Sequence, residues 1–325
     1  MNFIQQAYLG KNDWYHWLIT IVLVFVGWQI IGVIPLGMVA AAHASNPEEF
    51  MLAAANNFMT LGINKNLFLF LIISMFVFAL LFLLISVKYI HKRTITSLIT
   101  SRKKIDWKRF WFGFFSWGFI ACVTMYVGIL LAPENYVWNF NATPFFILVA
   151  ISFLYLPFQT SFEELLFRGY LMQGIGILAK NRWVPLFLTS VIFGLLHGAN
   201  PEIEKLGYIA LVFYIGTGFF YGITTLMDEG TELALGLHAI NNIVAAFFIT
   251  TDWTVFQTDA LYIDTSEPSV GWEMFFPVFV LYPIMLFVFS KKYGWKNWTE
   301  KLTGNIKEPL NLKENYRVLE DIGNV

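Results

Sequence analysis

Residues 67–87 read LFLFLIISMFVFALLFLLISV, an uninterrupted apolar run without a charged side chain. A helix needs about 20 apolar residues to cross the hydrocarbon core of a bilayer, so this run is long enough to span a membrane. The whole chain agrees, because 57% of its 325 residues are hydrophobic and only 13% are charged. A soluble domain carries about 25% charged residues, so much of this apolar surface has to face lipid.

Apolar runs of this kind recur along the chain. The sequence predicts spans at about residues 17–42, 67–87, 110–131, 144–170, 184–199, 206–227, 232–250 and 273–290. The fifth span is short and is expected to be tilted or partly re-entrant. We therefore predict an all-α, polytopic membrane protein, a bundle of about eight transmembrane helices. Residues 1–290 would form this helical domain, and residues 291–325 a polar, solvated cytoplasmic tail.

The basic residues predict the orientation of the bundle. Connection 88–109 carries eight Lys and Arg residues, whereas the four connections on the opposite side hold only Lys65 and Lys205 between them. Cytoplasmic loops are enriched in Lys and Arg, so both termini are expected in the cytoplasm. The short turn 228–232 is acidic and disagrees, although acidic residues contribute little to this rule.

Overall charge gives no sign of nucleic-acid binding, and the cysteine count excludes an internal disulfide. The net charge is −1, so nothing indicates binding of nucleic acid. The one cysteine, Cys122, cannot form an internal disulfide. We expect a multi-pass protein of a bacterial cell membrane, with membrane lipid as its surroundings.

Charged residues well inside a predicted span occur in one short stretch, which contains Glu163, Glu164 and Arg168. A charge at the bilayer centre costs about 2.5–3.5 kcal/mol on insertion scales, and such residues are usually functional. Glu164 and Arg168 are four residues apart, so they share one helical face and can pair. Glu163 lies about 100° further around the helix and is left to face another group. A structural ion pair with a spare, protonated glutamate is the alternative.

Two histidines on later spans help to decide between a catalytic site and a structural ion pair. His197 follows Phe193 by four residues in the fifth span, and His238 precedes Asn242 by four residues in the seventh. Residues at this spacing share a helical face. A lone histidine in an apolar helix is more often a packing residue than a catalyst. Two of them, with an asparagine and a glutamate pair on three spans, favour a catalytic site.

The motifs Glu-Glu-x-x-x-Arg, Phe-x-x-x-His and His-x-x-x-Asn, in this order on separate spans, resemble those of the CPBP family. These are the CAAX-processing and bacteriocin-processing intramembrane endopeptidases, also called the Abi family, related to the type II CAAX prenyl endopeptidase. The match covers about residues 144–250. It implies an eight-span bundle whose catalytic cavity lies in the membrane and opens toward the cytosol. The substrate would be a peptide or a membrane-anchored protein, prenylated proteins included.

The resemblance and the chemistry of peptide hydrolysis together indicate a role for each candidate site residue. Glu163 is the expected general base for a water that His197 helps to hold. Hydrogen bonds from His238 and Asn242 would stabilise the oxyanion. The buried ion pair would fix its helix and orient the base, and Phe193 would pack. The expected catalytic residues are Glu163, Glu164, Arg168, His197, His238 and Asn242.

A zinc site is the alternative chemistry. Glu163, His197 and His238 make the three-ligand set with one open position that catalytic zinc uses. The chain lacks the His-Glu-x-x-His helix motif, and Asn242 is not an expected zinc ligand. We therefore predict a metal-free glutamate mechanism without a cofactor.

Two functions without proteolysis remain as alternatives. A proton-coupled transporter would use buried Glu and His residues as a relay, but the sequence contains none of the internal repeats typical of transporters. A membrane scaffold or immunity protein would keep the site and act by binding. The intact motif set favours hydrolysis.

Overall fold

The structure is a computed structural model, and it describes residues 1–55 and 58–309. Its described part is almost entirely helical, which confirms the all-α prediction. The apolar helices are α1 (Trp14–His43), α2 (Lys65–Tyr89), α3 (Trp107–Leu131), α4 (Ala142–Ala179), α5 (Trp183–Ala199), α6 (Tyr208–Asp228), α7 (Glu232–Phe247) and α8 (Trp272–Tyr293). Each predicted span therefore corresponds to one helix.

Six helices among the described residues are long and apolar enough to cross a membrane, and α5 and α7 are shorter. Many of their large apolar side chains are exposed, as expected of a surface that contacts lipid. The chain is a multi-pass integral membrane protein. Helix α4 differs most from its predicted span, because it continues past residue 170 until Lys180, whose φ of 56° ends the helix.

One end of the bundle carries short elements that the sequence analysis did not predict. Three strands, β1 (Tyr136–Trp138), β2 (Ile249–Thr250) and β3 (Tyr262–Asp264), form a small sheet in the order β1-β3-β2. Because β1 and β3 pair directly, the connections after α3 and before α8 lie at the same end. Short helices in the other connections are Ile4–Leu9, Pro47–Ala55, Met59–Leu61, Ile95–Ile99, Pro133–Asn135, Pro201–Leu206 and Trp298–Thr303.

The opposite end, which we call the basic end, joins connection 88–109 to the acidic turn between α6 and α7. Arg102 contacts both Asp228 at 2.9 Å and Glu232 at 3.1 Å. Arg109 also pairs with Asp228. These contacts place the acidic turn among the basic residues of its own end, and they account for its departure from the charge bias.

The first part of the predicted tail contacts the basic end through two buried side chains. Trp295 and Ile306 are buried, and the Trp295 indole donates to the Asp228 carboxylate at 3.2 Å. Lys301 pairs with Glu229 at the same end. The two buried side chains hold this segment against the basic end, whereas most of the residues between them are exposed.

Close helix approach brings the motif-bearing helices together. A Cβ atom on Gly236 of α7 would lie 2.1 Å from the carbonyl oxygen of Phe110 in α3. One on Gly218 of α6 would lie 2.6 Å from the carbonyl oxygen of Ser190 in α5. Only glycine fits at such contacts, and the second brings the α6 backbone to the buried arginine described below.

Candidate active site

The two adjacent glutamates lie where α4 changes its geometry. The regular α-helical part ends at Glu164, and residues Leu165–Leu171 form a π-helix. Single wide turns of this kind inside α-helices occur frequently at functional sites. The wide turn is followed by a regular segment, Met172–Ala179, so the glutamates lie within one continuous helix.

Glu164 is the centre of a fully buried ion cluster. Its Oε1 accepts hydrogen bonds from Arg168 Nη1 at 3.0 Å and from His238 Nδ1 at 2.8 Å. The Glu164 and Arg168 side chains are both 0% exposed. The predicted i,i+4 pair is therefore present, and it also holds the α7 histidine in place.

The guanidinium of Arg168 is enclosed by backbone and aromatic rings. Its Nη2 donates to the carbonyl oxygen of Gly218 at 3.1 Å. The ring of Phe193 lies 4.3 Å from the guanidinium carbon, and the ring of Tyr221 lies 5.4 Å from it. Phe193 thus packs against the cluster as predicted, and Arg168 connects α4, α5 and α6.

Glu163 points away from the arginine, as the helical geometry predicts. Its Oε1 accepts from Gln159 Nε2 at 3.1 Å, and its Oε2 lies 3.7 Å from His238 Nε2. The Glu163 Oε2 atom is buried and has no hydrogen-bond partner among the described residues. A buried carboxylate oxygen without a donor is a site where a water or substrate group can bind. His238 therefore contacts Glu164 through one ring nitrogen and faces Glu163 with the other.

His197 lies beside this cluster and not within it. Its Nδ1 contacts the carbonyl oxygen of Phe193 at 2.8 Å, and its ring stacks on Tyr214 with centroids 4.3 Å apart. Among the ion-pair contacts of the described residues, none joins His197 to a carboxylate. The His197 ring lies next to the Phe193 ring, with centroids 4.8 Å apart, and the Phe193 and His238 ring centroids are 6.1 Å apart.

Asn242 is oriented by a relay that the motif analysis missed. Trp117 Nε1 in α3 donates to Asn241 Oδ1 at 3.0 Å, and Asn241 Nδ2 donates to Asn242 Oδ1 at 3.2 Å. The indole is a donor only, so it fixes which end of each amide is the acceptor. Asn242 Nδ2 is left without a protein partner among the described residues. No sequence motif singles out Trp117, because it lies on a distant span.

A second polar group missed by the sequence analysis adjoins His197. Glu202 is buried and accepts from the Tyr214 hydroxyl and, at 3.0 Å, from Asn200 Nδ2. The residue was assigned to a loop because it follows the fifth span directly. Its contacts fix the tyrosine on which the His197 ring stacks.

The zinc alternative requires that Glu163, His197 and His238 lie close enough together to bind one ion. Among the described residues, no group of three or more His, Cys, Asp and Glu side chains is arranged to hold a metal ion. Glu163 and His238 face each other, whereas the contacts of His197 are with Phe193 and Tyr214. The three residues proposed as zinc ligands do not form a ligand set in this arrangement.

Comparisons with known proteins agree with the motifs. The family described as "Type II CAAX prenyl endopeptidase Rce1-like" matches residues 142–244, which contain all three motifs. The uncharacterized protein YyaK of Bacillus subtilis (strain 168) is 34% identical over 209 residues, covering 63% of this chain and 69% of the relative. A comparison with solved structures finds no match. The chain belongs to the family described as type II CAAX prenyl endopeptidase Rce1-like, which confirms the family resemblance that its three motifs predicted.

Proposed function

We propose that this protein is an intramembrane endopeptidase that hydrolyses a peptide bond with a water activated by Glu163. The observation that carries the proposal is the buried Glu163 Oε2, which has no protein partner among the described residues and faces His238 Nε2 across 3.7 Å. That separation is too long for a direct hydrogen bond, and one water can contact both atoms.

Glu163 takes a proton from this water as the water oxygen attacks the peptide carbonyl carbon. A C–O bond forms, and the carbonyl π electrons move onto the oxygen to give a tetrahedral oxyanion. Glu163 then returns the proton to the amide nitrogen as the C–N bond breaks. General base catalysis of this kind contributes about 10²–10⁴-fold in rate.

Asn242 Nδ2 is the donor that we assign to the oxyanion. The Trp117–Asn241 relay leaves this group free and orients it before substrate arrives. One such donor is worth about 10²–10³ in kcat in soluble proteases, because it is stronger in the transition state than in the ground state.

His238 acts in this mechanism through Nε2, since its Nδ1 donates to Glu164. In the neutral ring, Nε2 accepts a hydrogen bond from the attacking water. In the imidazolium, it donates to the developing oxyanion. Glu164 and Arg168 hold this ring and do not touch the reacting atoms, so we assign them positioning roles. We assign His197 a supporting role through its contacts with Phe193.

The mechanism is proposed as metal-free, with the basic end and both termini in the cytoplasm and cleavage near that side. The loop charge bias supports the orientation. The substrate class that the family name suggests is a peptide or membrane-anchored protein, prenylated proteins included. Elemental analysis of purified protein tests the metal assignment. Stoichiometric zinc lost together with activity in His238→Ala would overturn it.

The function is tested by comparing membrane peptides from cells that express either the wild type or Glu163→Gln. The matched control is Glu48→Gln, which changes an exposed glutamate in the connection after α1. We expect peptide ends that are present with the wild type and Glu48→Gln and absent with Glu163→Gln. Identical peptide sets from all three strains, with all three proteins present at equal levels, would contradict the proposal.

A further inference from the structure

A cavity of about 700 Å³ lies where α2 ends, away from the glutamate cluster. Lys88 belongs to the last turn of α2, and Lys92 and Arg93 follow it. Lys92 has a φ of 56°, a backbone conformation that favours glycine, yet the position carries a lysine. The cavity is lined by Leu9, Lys88, Lys92, Arg93, Thr94 and Ile95, so half of its lining residues are cationic and none is acidic.

Arg93 is the most unusual of these cations. It is 5% exposed, and none of its three guanidinium nitrogens has a hydrogen-bond partner among the described residues. Burial lowers the pKa of Arg93 to about 10, so the side chain still carries its charge at neutral pH. A buried charge without a counter-charge is strongly destabilising, which indicates that an anion belongs beside it.

Other cations at the same end of the bundle are neutralised by protein carboxylates. Arg102 and Arg109 pair with Asp228, and Arg182 and Lys301 pair with Glu229. No ion pair within residues 1–55 and 58–309 involves a cation of the cavity. Arg93 therefore differs from these paired cations, because its buried guanidinium has no carboxylate partner among the described residues.

The cavity lies at the boundary of the membrane. Helix α2 is a membrane span that ends at Tyr89, and this tyrosine is 62% exposed. Tyrosine is enriched at the level of lipid head groups. The cavity also has an apolar wall that includes Leu9, which is 54% exposed. Basic pockets beside membrane helices are suited to phosphate-containing head groups, and an apolar wall suits the start of an acyl chain.

We propose that this cavity binds the phosphate of an anionic phospholipid head group, with Lys88 and Lys92 donating to its oxygens and Arg93 supplying the positive charge behind them. The phosphate chemistry would equally suit a soluble phosphate. The membrane boundary and the apolar wall assign the ligand to a lipid.

The test uses the full chain purified in a neutral maltoside detergent. Dioleoyl-phosphatidylglycerol is titrated in mixed micelles, with dioleoyl-phosphatidylcholine and sodium phosphate as parallel titrations. Melting temperature and the number of lipids retained in native mass spectrometry are measured. We expect a saturable rise in melting temperature and one retained lipid with phosphatidylglycerol, and neither effect in the parallel titrations.

The decisive variant is Lys88→Gln/Lys92→Gln, which removes two charges that make no ion pair with the residues that the structure describes. Each charge-assisted hydrogen bond is worth enough to change affinity about tenfold, so the double variant should bind phosphatidylglycerol at least tenfold more weakly. Its matched control is Lys103→Gln/Lys104→Gln, which removes two exposed charges from the same connection. This control should bind as the wild type does.

The variant Arg93→Met tests the proposal through the direction in which its melting temperature changes. Without lipid, this variant should melt at or above the wild-type temperature, because it removes an unpaired buried charge. With phosphatidylglycerol, it should gain less than the wild type. Wild-type binding by Lys88→Gln/Lys92→Gln, or equal weakening in both lysine pairs, would overturn the proposal. An equal effect of sodium phosphate would overturn the assignment to lipid.

Discussion

Replacing Glu164 by glutamine removes one negative charge from the centre of the buried cluster and keeps the side-chain shape. In the wild type, Glu164 Oε1 accepts from Arg168 at 3.0 Å and from His238 at 2.8 Å, and the Glu164 and Arg168 side chains are 0% exposed. The amide oxygen can still accept these hydrogen bonds, but it cannot neutralise the guanidinium. Arg168 would then be a buried charge whose remaining contacts are a carbonyl oxygen and aromatic rings.

The expected loss follows from that unpaired charge. Breaking a buried ion pair costs about 3–5 kcal/mol in soluble proteins. In a chain of roughly 200 residues, each kcal/mol lost from the free energy of unfolding lowers the melting temperature by about 2–4 °C. Glu164→Gln should therefore melt about 10 °C below the wild type. Removing both charges in Glu164→Gln/Arg168→Met should restore part of the loss, because no unpaired charge remains.

The assay is thermal melting in detergent, and the adjacent residue provides the matched control. Glu163→Gln makes the same chemical change, but within residues 1–55 and 58–309 Glu163 pairs with no arginine, and its Oε1 accepts from the Gln159 amide. Its melting temperature should change by less than about 2 °C. Equal melting temperatures for Glu164→Gln and Glu163→Gln, or no recovery in the double variant, would refute the account of the cluster.

Three further predictions concern other parts of the molecule. Burial holds the pKa of His91 at about 4, below its ordinary value of 6.5, so the unfolded state binds the proton first as pH falls. Stability should therefore fall by up to about 3 kcal/mol between pH 6.5 and 4, and melting curves should show a smaller loss in His91→Gln than in the exposed control His43→Gln. Trp117→Phe should lower kcat about tenfold with little change in KM, and Asn242→Ala about 10²–10³-fold, because both act on the oxyanion donor in cleavage assays. After Cys122→Ser, thiol labelling of Glu134→Cys and Glu267→Cys should occur from outside the cell and labelling of Lys103→Cys from inside, and the reverse pattern would contradict the proposed orientation.

The membrane spans were predictable because their signal is local. A run such as residues 67–87 needs only its own length and composition to indicate a membrane helix, and α2 contains it. The strands at one end of the bundle were missed because contacts between distant segments form them. Strand β1, for example, pairs with β3 across more than 120 residues of sequence.

The site shows the same division between local and distant signals. The pairing of Glu164 with Arg168 and the separate direction of Glu163 follow from helical spacing, and the structure contains both. Sequence spacing could not indicate that Glu164 also holds His238, because that contact joins α4 to α7. Trp117 was missed for the same reason, since Asn241, to which its indole donates, lies 124 positions away.

The number of charged residues in a connection also did not predict which of them are buried. The predicted turn 228–232 includes Asp228 and Glu232, and both are buried and held by arginines from another connection. A short turn places a charge near water without determining which segment covers it. The sequence likewise did not indicate that Trp295, in the predicted tail, contacts this same turn.

The central claim is that Glu163 activates the water that cleaves the peptide bond, and cleavage by reconstituted protein tests it most directly. Wild type and Glu163→Gln are placed in liposomes with a peptide identified from the membrane comparison, and initial rates are measured alongside melting curves. We predict that Glu163→Gln melts within about 2 °C of the wild type and cleaves about 10²–10⁴-fold more slowly. Cleavage at the wild-type rate by a folded Glu163→Gln protein would contradict the claim.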